Sequence, residues 1–382
     1  MNIFRSSRAL LPVFIGSIAA FFILKSLIDD IPIDWEELAL GKETFSPHVF
    51  LENGVRAYAI YDSSIIHCEE LDRCIENTSL NYESNLLWLG NSMLHAINQF
   101  KDGQRLASQI LHEKLIAKER DLLTISHPSA NLQEHLVILK RVILDKEIET
   151  LILGLVFDDF REEGVRYDIA KSISIEDIEE TLYLSEIGRK IIQDQTMVLD
   201  IEDDFGGLAD SLQDQTERSL NQYLETNFDL WSRRPYMRGV VFNSLYKTRN
   251  KMFGIDPTTK RKMIKPRFNN NWSALEEIVR ITNQKDINLF LYIAPIRNDV
   301  EIPYLESEYL EFKNKIENLS QKEGFYLKNY ENLIPPEHWG LKDSTTVDGE
   351  PELDFMHFQE GGHIILAETI FEFLEDEMDE DK

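Results

Sequence analysis

Ser92 follows a predicted strand and precedes a predicted helix, a position where a serine side chain can act as a nucleophile. The apolar run at 86–89 is short enough to be a buried strand, and it breaks at Gly90. A helical pattern then resumes at Leu94, Ile97 and Phe100. Backbone N–H groups and a helix dipole at such a junction favour a developing negative charge. The position predicts a nucleophile, with an ordinary turn as the alternative.

Asp354 and His357 stand three residues apart near the other end of the chain, before a second apolar helix pattern. A serine hydroxyl is a weak nucleophile until an imidazole accepts its proton, and the imidazole needs a carboxylate to fix its tautomer. We expect this pair on a loop before the helix. The alternative is a capping aspartate and an unrelated surface histidine. We predict Ser92 as nucleophile, His357 as general base and acid, and Asp354 as its orienter.

The two blocks resemble those of the SGNH (GDSL-like) hydrolases, in which Gly-Asp/Asn-Ser follows the first strand and Asp-x-x-His comes last. Here they read Gly-Asn-Ser at 90–92 and Asp-Phe-Met-His at 354–357. The likeness is closer to the membrane-anchored branch that includes the D-alanyl-lipoteichoic acid transfer protein and the alginate O-acetylation proteins. It covers roughly residues 84–374. It implies an α/β fold with a doubly wound parallel sheet (flavodoxin-like, SGNH type), and chemistry without a cofactor.

A tetrahedral oxyanion needs hydrogen-bond donors, and the Ser92 N–H is one candidate. The resemblance implies two more, a glycine N–H after the second strand and an asparagine side chain after the third. The second-strand turn of this chain contains no glycine. A backbone N–H of Ser129, Ala130 or Asn131 is the available substitute.

Asp158 and Asp159 follow the third strand in place of the asparagine. An ionised carboxylate repels an oxyanion, so either the Asn131 side chain substitutes or these aspartates have another task. One such task is to bind a hydroxyl-rich acceptor. The other is a salt bridge with Arg161 or Arg166.

Strand and helix patterns alternate between the two blocks. Strands are predicted at 86–89, 122–126, 151–157, 287–293 and 325–327, and helices from Asn131, at 275–281 and at 310–319. This alternation implies right-handed crossovers and a parallel sheet. Residues 167–270 show no strand pattern, which predicts a helical insertion above the sheet. Residues 29–83 are predicted as a stalk packed on the core, and 375–382 as an acidic tail.

The N-terminus predicts an anchor. Arg5 and Arg8 precede an apolar stretch that reaches Ile28 and is long enough to span a bilayer. The positive-inside rule places the N-terminus in the cytoplasm and the rest in the periplasm or outside the cell. We predict a single-pass anchor at 1–28 in the cell (inner) membrane; a cleaved signal peptide and a buried core helix are the alternatives.

The net charge of −28 argues against nucleic acid as a partner. Against this background, the segment 233–267 holds eleven Lys or Arg residues and one acid, Asp256. Such a segment suits an anionic polymer, lipid headgroups or an acidic partner. Neutralisation by acids elsewhere in the chain is the alternative.

The chain has two cysteines, Cys68 and Cys74, which in an oxidising compartment can close a small loop or stay unpaired. Asp354, His357 and His363 hold enough ligand atoms for a metal. Their spacing is not a recognised zinc pattern, so we expect no metal.

The sequence thus predicts a membrane-anchored SGNH-type serine esterase or O-acyltransferase. By resemblance it acts on acyl groups, foremost acetyl, of a cell-surface or exported polysaccharide. The resemblance also implies a membrane-bound O-acyltransferase as a partner. The alternatives are a lipid or thioester hydrolase, and a non-catalytic polysaccharide-binding or assembly protein.

Overall fold

A computed structural model describes residues 49–194 and 234–376, apart from gaps at 51–55, 62–63, 69–70, 79, 81, 83, 98–102, 175, 256–258, 343 and 347–349. Within these ranges no helix combines the length and the hydropathy needed to cross a membrane. The anchor predicted at 1–28 lies outside the described residues, as does most of the predicted acidic tail.

Eight strands of the described chain form one sheet. They are β1 (Val49–Phe50), β2 (Arg56–Tyr61), β3 (Ser64–Cys68), β4 (Ser84–Gly90), β5 (Arg120–Ser126), β6 (Thr150–Leu155), β7 (Asn288–Ile293) and β8 (Tyr326–Asn329). Their order is β1-β2-β3-β5-β4-β6-β7-β8, and every pairing from β3 to β8 is parallel. The five strands from β4 onward therefore run in the order 2-1-3-4-5, the flavodoxin-like order.

Helices cover both faces of this sheet. They are α1 (Leu71–Asn77), α2 (Ala107–Ile116), α3 (Leu132–Asp145), α4 (Tyr167–Ala170), α5 (Glu176–Tyr183), α6 (Arg234–Phe253), α7 (Lys265–Gln284), α8 (Glu306–Glu323) and α9 (Glu360–Asp376). Residues 186–194 are also helical. Helices α3, α7 and α8 share one apolar core with the sheet, and α2 and α9 share the other.

The side chains of β4 explain why both faces must be covered. Leu87 and Leu89 point into the core with α3, while Leu86 and Trp88 point into the core with α2. Successive side chains of a strand face opposite sides, so a strand that is apolar throughout needs two apolar layers. The predicted α/β class and parallel sheet are confirmed, and the five predicted core strands lie where they were expected.

The prediction that a helix follows Ser92 directly is wrong. Residues Ser92–Leu94 form a single 3₁₀ turn, and His95 after it is extended (φ −102°, ψ 157°). The reason is tertiary: the buried His95 ring meets the Ser126 Oγ at the end of β5, with its Nε2 3.1 Å away. This contact turns the chain away from a helical path, and α2 starts only at Ala107.

Asp354 and His357 lie on a strand, not on the predicted loop. Strand β10 (Glu352–Phe358) pairs antiparallel with β9 (Trp339–Lys342) in a separate two-stranded sheet. The pairing register shifts between Leu353 and Phe358, so the strand is irregular where the two residues stand. The apolar pattern of residues 364–371 does form a helix directly afterwards, α9.

The described part of the predicted stalk belongs to the sheet. Strands β2 and β3 form an antiparallel pair, and β3 then pairs in parallel with β5. The segment therefore extends one edge of the sheet and does not stand apart from it. Cys74, in α1, is disulfide-bonded, and the only other cysteine of the chain is Cys68.

The region predicted as a helical insertion contains helices and no strand in its described part, which excludes residues 195–233. Its basic residues are partly neutralised within the chain. Arg261 pairs with Asp158, Arg267 with Glu163, and Lys260 with Glu301. Helix α7 begins at Lys265, ten residues earlier than predicted.

A substitution at Gly154 tests how tightly strands β6 and β7 are packed. A Cβ atom on Gly154 would lie 2.6 Å from the Tyr292 ring, which crosses over it from β7. We expect Gly154→Ala to lower the free energy of unfolding by about 1–3 kcal/mol, because the buried ring has to move. Denaturant unfolding of both proteins measures the difference. In a Tyr292→Leu background the cost should shrink; an equal cost in both backgrounds would contradict this account.

Candidate active site

Ser92 is held at the carboxyl end of the central strand β4. Asn91 caps the 3₁₀ turn, since its side-chain Oδ1 accepts a hydrogen bond from the Met93 N–H at 3.0 Å. Gly90 makes the turn possible, because a Cβ atom there would overlap the Leu94 side chain. Ser92 itself is half-buried. It lies where the strand order reverses, the place where open α/β sheets bind ligands.

Ser92, His357 and Asp354 form one continuous chain of hydrogen bonds. The Ser92 Oγ lies 3.0 Å from His357 Nε2, and His357 Nδ1 lies 2.9 Å from Asp354 Oδ2. With its proton on Nδ1, the imidazole donates to the carboxylate, and Nε2 is left to accept the serine proton. The structure thus brings together the three residues predicted as catalytic.

Asp354 is positioned and charged for its part in this chain. Its Oδ1 accepts hydrogen bonds from the backbone N–H groups of Met356 (2.9 Å) and His357 (3.1 Å). Burial alone would raise the pKa of Asp354, but His357 and these two N–H donors outweigh burial and hold that pKa below its ordinary value. The carboxylate is therefore ionised whenever His357 accepts a proton.

Solvent exposure rises from Asp354 to His357 along this series of hydrogen bonds. The Asp354 side chain is 3% exposed and that of His357 is 21% exposed. The carboxylate is shielded from water while the imidazole and the serine face the surface. A substrate can approach Ser92 while the Asp354 carboxylate and its hydrogen bond to His357 stay shielded from water.

Arg297, which the sequence analysis did not single out, holds the strand that carries the histidine. This buried residue follows β7; its N–H donates to the Phe355 carbonyl (3.1 Å) and its Nη1 to the Gly340 carbonyl (3.2 Å). Asp299 pairs with its guanidinium at 2.7 Å. The loop after β7 therefore fastens both β9 and β10 to the main sheet. An arginine two residues before an aspartate is too common a pattern to reveal this from sequence.

The Ser92 N–H is one available donor for an oxyanion. The N–H groups of Met93, Leu94 and His95 are used within the turn, whereas that of Ser92 takes no part in the turn's own hydrogen bonds. Ser129 lies in the neighbouring turn after β5 and has a left-handed conformation, with φ of +55°. Pro128 and Ser129 occupy the middle of a turn closed by the Ala130 N–H on the His127 carbonyl, and such a turn normally has glycine at the position of Ser129.

Asn131 and Ala130 do not have the role predicted for them. The Asn131 Oδ1 caps α3 by accepting from Gln133 and Glu134, and its Nδ2 donates to the Gly164 carbonyl at 2.7 Å. Its backbone N–H is bound by the Glu134 carboxylate. The Ala130 N–H is used in the turn described above. These hydrogen bonds serve the turn and the cap of α3, so the contacts shown assign neither residue to an oxyanion.

Asp158 is engaged in salt bridges, which was the alternative to binding sugar hydroxyls. It pairs with Arg161 at 2.6 Å and with Arg261, and the buried Tyr304 hydroxyl donates to it at 3.1 Å. Of the two arginines proposed from sequence, Arg161 is therefore correct. Arg166 instead binds Glu134.

Asp159 behaves differently from its neighbour. It is 4% exposed, and its Oδ2 accepts a hydrogen bond from Asn91 Nδ2 at 2.8 Å. Burial raises the pKa of Asp159 well above its ordinary value; the hydrogen bond from Asn91 opposes this rise and the charge on Asp158 adds to it. The two aspartates that the sequence presents as a pair therefore have separate environments.

A second serine–histidine contact lies nearby, between Ser126 and His95. Both residues are buried, at 0% and 3% exposure, so substrate cannot reach this serine. His363 is also buried; its Nδ1 accepts from the Ala107 N–H, and burial lowers its pKa to about 3. In the described part of the chain no group of acidic, histidine or cysteine side chains is arranged to hold a metal ion.

Comparisons with known proteins give distant likenesses only. No protein-family profile and no curated protein matches the chain. Similar solved structures include a GDSL-like lipase from Bacteroides thetaiotaomicron, with 8% identity, a TM-score of 0.38, and coverage of 80% of this chain and 98% of that chain. An acetylxylan esterase from Geobacillus stearothermophilus has 8% identity, a TM-score of 0.36, and coverage of 78% and 94%. For the acetyl xylan esterase AlAXEase these values are 10%, 0.35, 75% and 98%.

Asp354→Asn tests the role of the buried carboxylate. An amide cannot stabilise the imidazolium and does not enforce the required tautomer, so we expect kcat/KM on an activated ester to fall about 10⁴-fold. Steady-state kinetics measure the loss, and circular dichroism checks the fold. The matched control is Asp145→Asn, which removes an ion pair with Arg141 at the end of α3 and should leave the rate within a few-fold. Equal rates in both variants would contradict the assignment.

Proposed function

We propose that this protein is a serine esterase or O-acyltransferase of the SGNH type. The observation that carries the proposal is the hydrogen-bonded chain Ser92–His357–Asp354 at the carboxyl edge of the parallel sheet. A non-catalytic binding protein has no need for a half-buried serine on an imidazole that is in turn held by an ionised carboxylate. The geometry therefore favours an enzyme over the non-catalytic alternative.

The reaction follows from the positions of the protons. Ser92 Oγ attacks the carbonyl carbon of an acyl ester while His357 Nε2 accepts the hydroxyl proton, and Asp354 stabilises the imidazolium. The tetrahedral oxyanion is stabilised by backbone N–H groups, with that of Ser92 as the first donor. As it collapses, the ester C–O bond breaks and His357 protonates the departing alcohol, which leaves an acyl group on Ser92.

The second half of the reaction decides between hydrolysis and transfer. Water or an acceptor hydroxyl gives its proton to His357 and attacks the acyl-enzyme, and Ser92 recovers its proton from His357. We propose that a hydroxyl group of a cell-surface polysaccharide either receives the acyl group in transfer or is released from its ester in hydrolysis. The support is the motif resemblance. Because Asp158 is engaged in salt bridges, we propose that other residues contact the polymer.

We propose acetyl as the acyl group. A cavity of about 10 Å³ lies beside Met356, lined also by Val156 and Ala294. Neither Ser92 nor His357 lines this cavity, so it does not define the acyl group. The support for acetyl is the motif resemblance.

We further propose that residues 1–28 anchor the enzyme in the cell membrane with the sheet on the exterior or periplasmic side. The bonded state of Cys74 supports an oxidising compartment. A membrane-bound O-acyltransferase remains the proposed partner in transfer, on the motif resemblance alone.

A fluorophosphonate probe tests for an activated serine. We expect the full-length protein to be labelled and to turn over an activated acetyl ester, and Ser92→Ala to lose both, with a fall of at least about 10³-fold. Ser126→Ala is the matched control, because it removes the other serine that contacts a histidine and should retain both. Labelling that persists in Ser92→Ala would contradict the assignment.

A hydrolase of lipid esters is a second candidate, favoured by helix α6. Its described end exposes Leu245 (60%), Met252 (77%) and Phe253 (72%) beside basic residues, and exposed apolar side chains next to cations can contact anionic lipids. A series of acyl esters of increasing length separates the candidates. We expect kcat/KM to fall at least tenfold from acetyl to octanoyl esters; a rise would favour the lipid hydrolase.

A further inference from the structure

We infer that Asp159 acts as a neutral carboxylic acid that positions Asn91, and through it the turn carrying Ser92, without placing a negative charge beside the oxyanion. The inference assumes the proposed acyl chemistry at Ser92. Asp159 is a positioning residue in this account, since it acts through Asn91. The proposal gives a role to a buried acid that the catalytic steps above do not use.

The contacts connect Asp159 directly to the nucleophile turn. Asn91 Nδ2 donates to Asp159 Oδ2 at 2.8 Å, and the other end of the same amide, Oδ1, accepts from the Met93 N–H at 3.0 Å. Asn91 immediately precedes Ser92 and is 5% exposed. Any movement of the Asp159 carboxyl is therefore passed to the residue next to the nucleophile.

The direction of the hydrogen bond to Asp159 is fixed by the backbone. If the Asn91 amide were flipped, its NH₂ group would point at the Met93 N–H, and two donors would face each other. Oδ2 of Asp159 must therefore be the acceptor. A protonated carboxyl fulfils this role with its carbonyl oxygen and carries its proton on the other oxygen, Oδ1.

The neighbouring cations serve the adjacent aspartate instead. Arg161 and Arg261 both pair with Asp158, and in the described part of the chain no ion pair involves Asp159. A buried carboxylate without a cation is costly, and the group normally takes up a proton instead. The arrangement separates an ionised acid from a neutral one on the same short 3₁₀ helix, Phe157–Phe160.

Two charged groups near Asp159, Asp158 and Glu162, come from its own segment, and each disfavours a second negative charge. Tyr292 approaches from β7, but burial keeps its hydroxyl protonated, so it adds no charge. The oxyanion that forms at Ser92 during acyl transfer adds another negative charge. Burial is the largest cause and keeps the pKa of Asp159 well above its ordinary value. The hydrogen bond from Asn91 opposes it, the charge on Asp158 adds a smaller rise, and a backbone hydrogen bond with Val156 opposes it further.

The pH dependence of the free energy of unfolding shows whether Asp159 is protonated in the folded state, and it needs no enzyme assay. The folded protein holds the Asp159 proton, while the unfolded chain loses it above a pH of about 3.9. Unfolding then releases a proton, so this residue destabilises the fold progressively as pH rises from there to its folded pKa, above which the effect is constant. Asp159→Asn keeps the acceptor for Asn91 and has no proton to release.

We expect the unfolding constant of the full chain, divided by that of Asp159→Asn, to rise about tenfold per pH unit above pH 4. Denaturant titrations of both proteins from pH 4 to pH 8 measure this ratio. Ser92→Ala, which lacks the nucleophile, should give the same slope as the unaltered chain. A ratio that is flat above pH 5 means an ionised Asp159 and would overturn the inference.

The positioning role is tested by rescue. We expect Asp159→Asn to retain kcat/KM within about tenfold at pH 7, and Asp159→Leu, which cannot bind Asn91, to lose at least 100-fold. Loss in Asp159→Asn as deep as in Asp159→Leu would overturn the inference, as would full activity of a folded Asp159→Leu. If Asp159→Leu does not fold, the Asp159→Asn rate still decides.

Failure of this inference can be told apart from failure of the proposed function. If the full chain neither labels with fluorophosphonate nor turns over esters, the proposed function fails. The unfolding ratio still reports whether Asp159 is neutral, because it depends on no activity. If the chain is active and the ratio is flat, only the inference about Asp159 fails.

Discussion

The hydrogen bond between Ser92 and His357 joins two residues that are 265 positions apart, and most of the fold serves to make it. Ser92 is fixed by β4, the strand that both β5 and β6 flank in parallel. His357 is fixed by β10, outside the main sheet. The loop after β7, through Arg297, brings these two supports into register. Together with the hydrogen bonds from Asp354, this connection places the imidazole relative to the serine.

Four acidic side chains show how the local environment gives the same carboxyl group different roles. Asp354 stays ionised because a histidine and two N–H groups compensate its burial. Asp158 is paired with two arginines and stabilises the segment after β6. Glu134 caps α3 and binds Arg166. Asp159, equally buried, has a neutral amide for a partner. The charge of each of these acids is therefore determined by its own contacts, although the chain as a whole is strongly acidic.

The sequence predicted the parts that local patterns control. Apolar runs revealed the five core strands, and the spacing of Ser92, Asp354 and His357 beside apolar segments predicted which side chains would meet. It did not predict the extended conformation of His95, which depends on Ser126 from another strand. Nor did it predict that β10 would be a strand. These features depend on partners distant in the chain, which periodicity and propensity do not reveal.

The central claim is that Ser92 carries the acyl group, and peptide mass mapping tests it most directly. The full-length protein is mixed with an activated acetyl ester, quenched in acid within the first turnovers and digested. The account predicts one acetyl group on the peptide that contains Ser92 and none on that peptide when His357 is replaced by alanine. Acetylation confined to other peptides, or equal acetylation of Ser92 in both proteins, would contradict it.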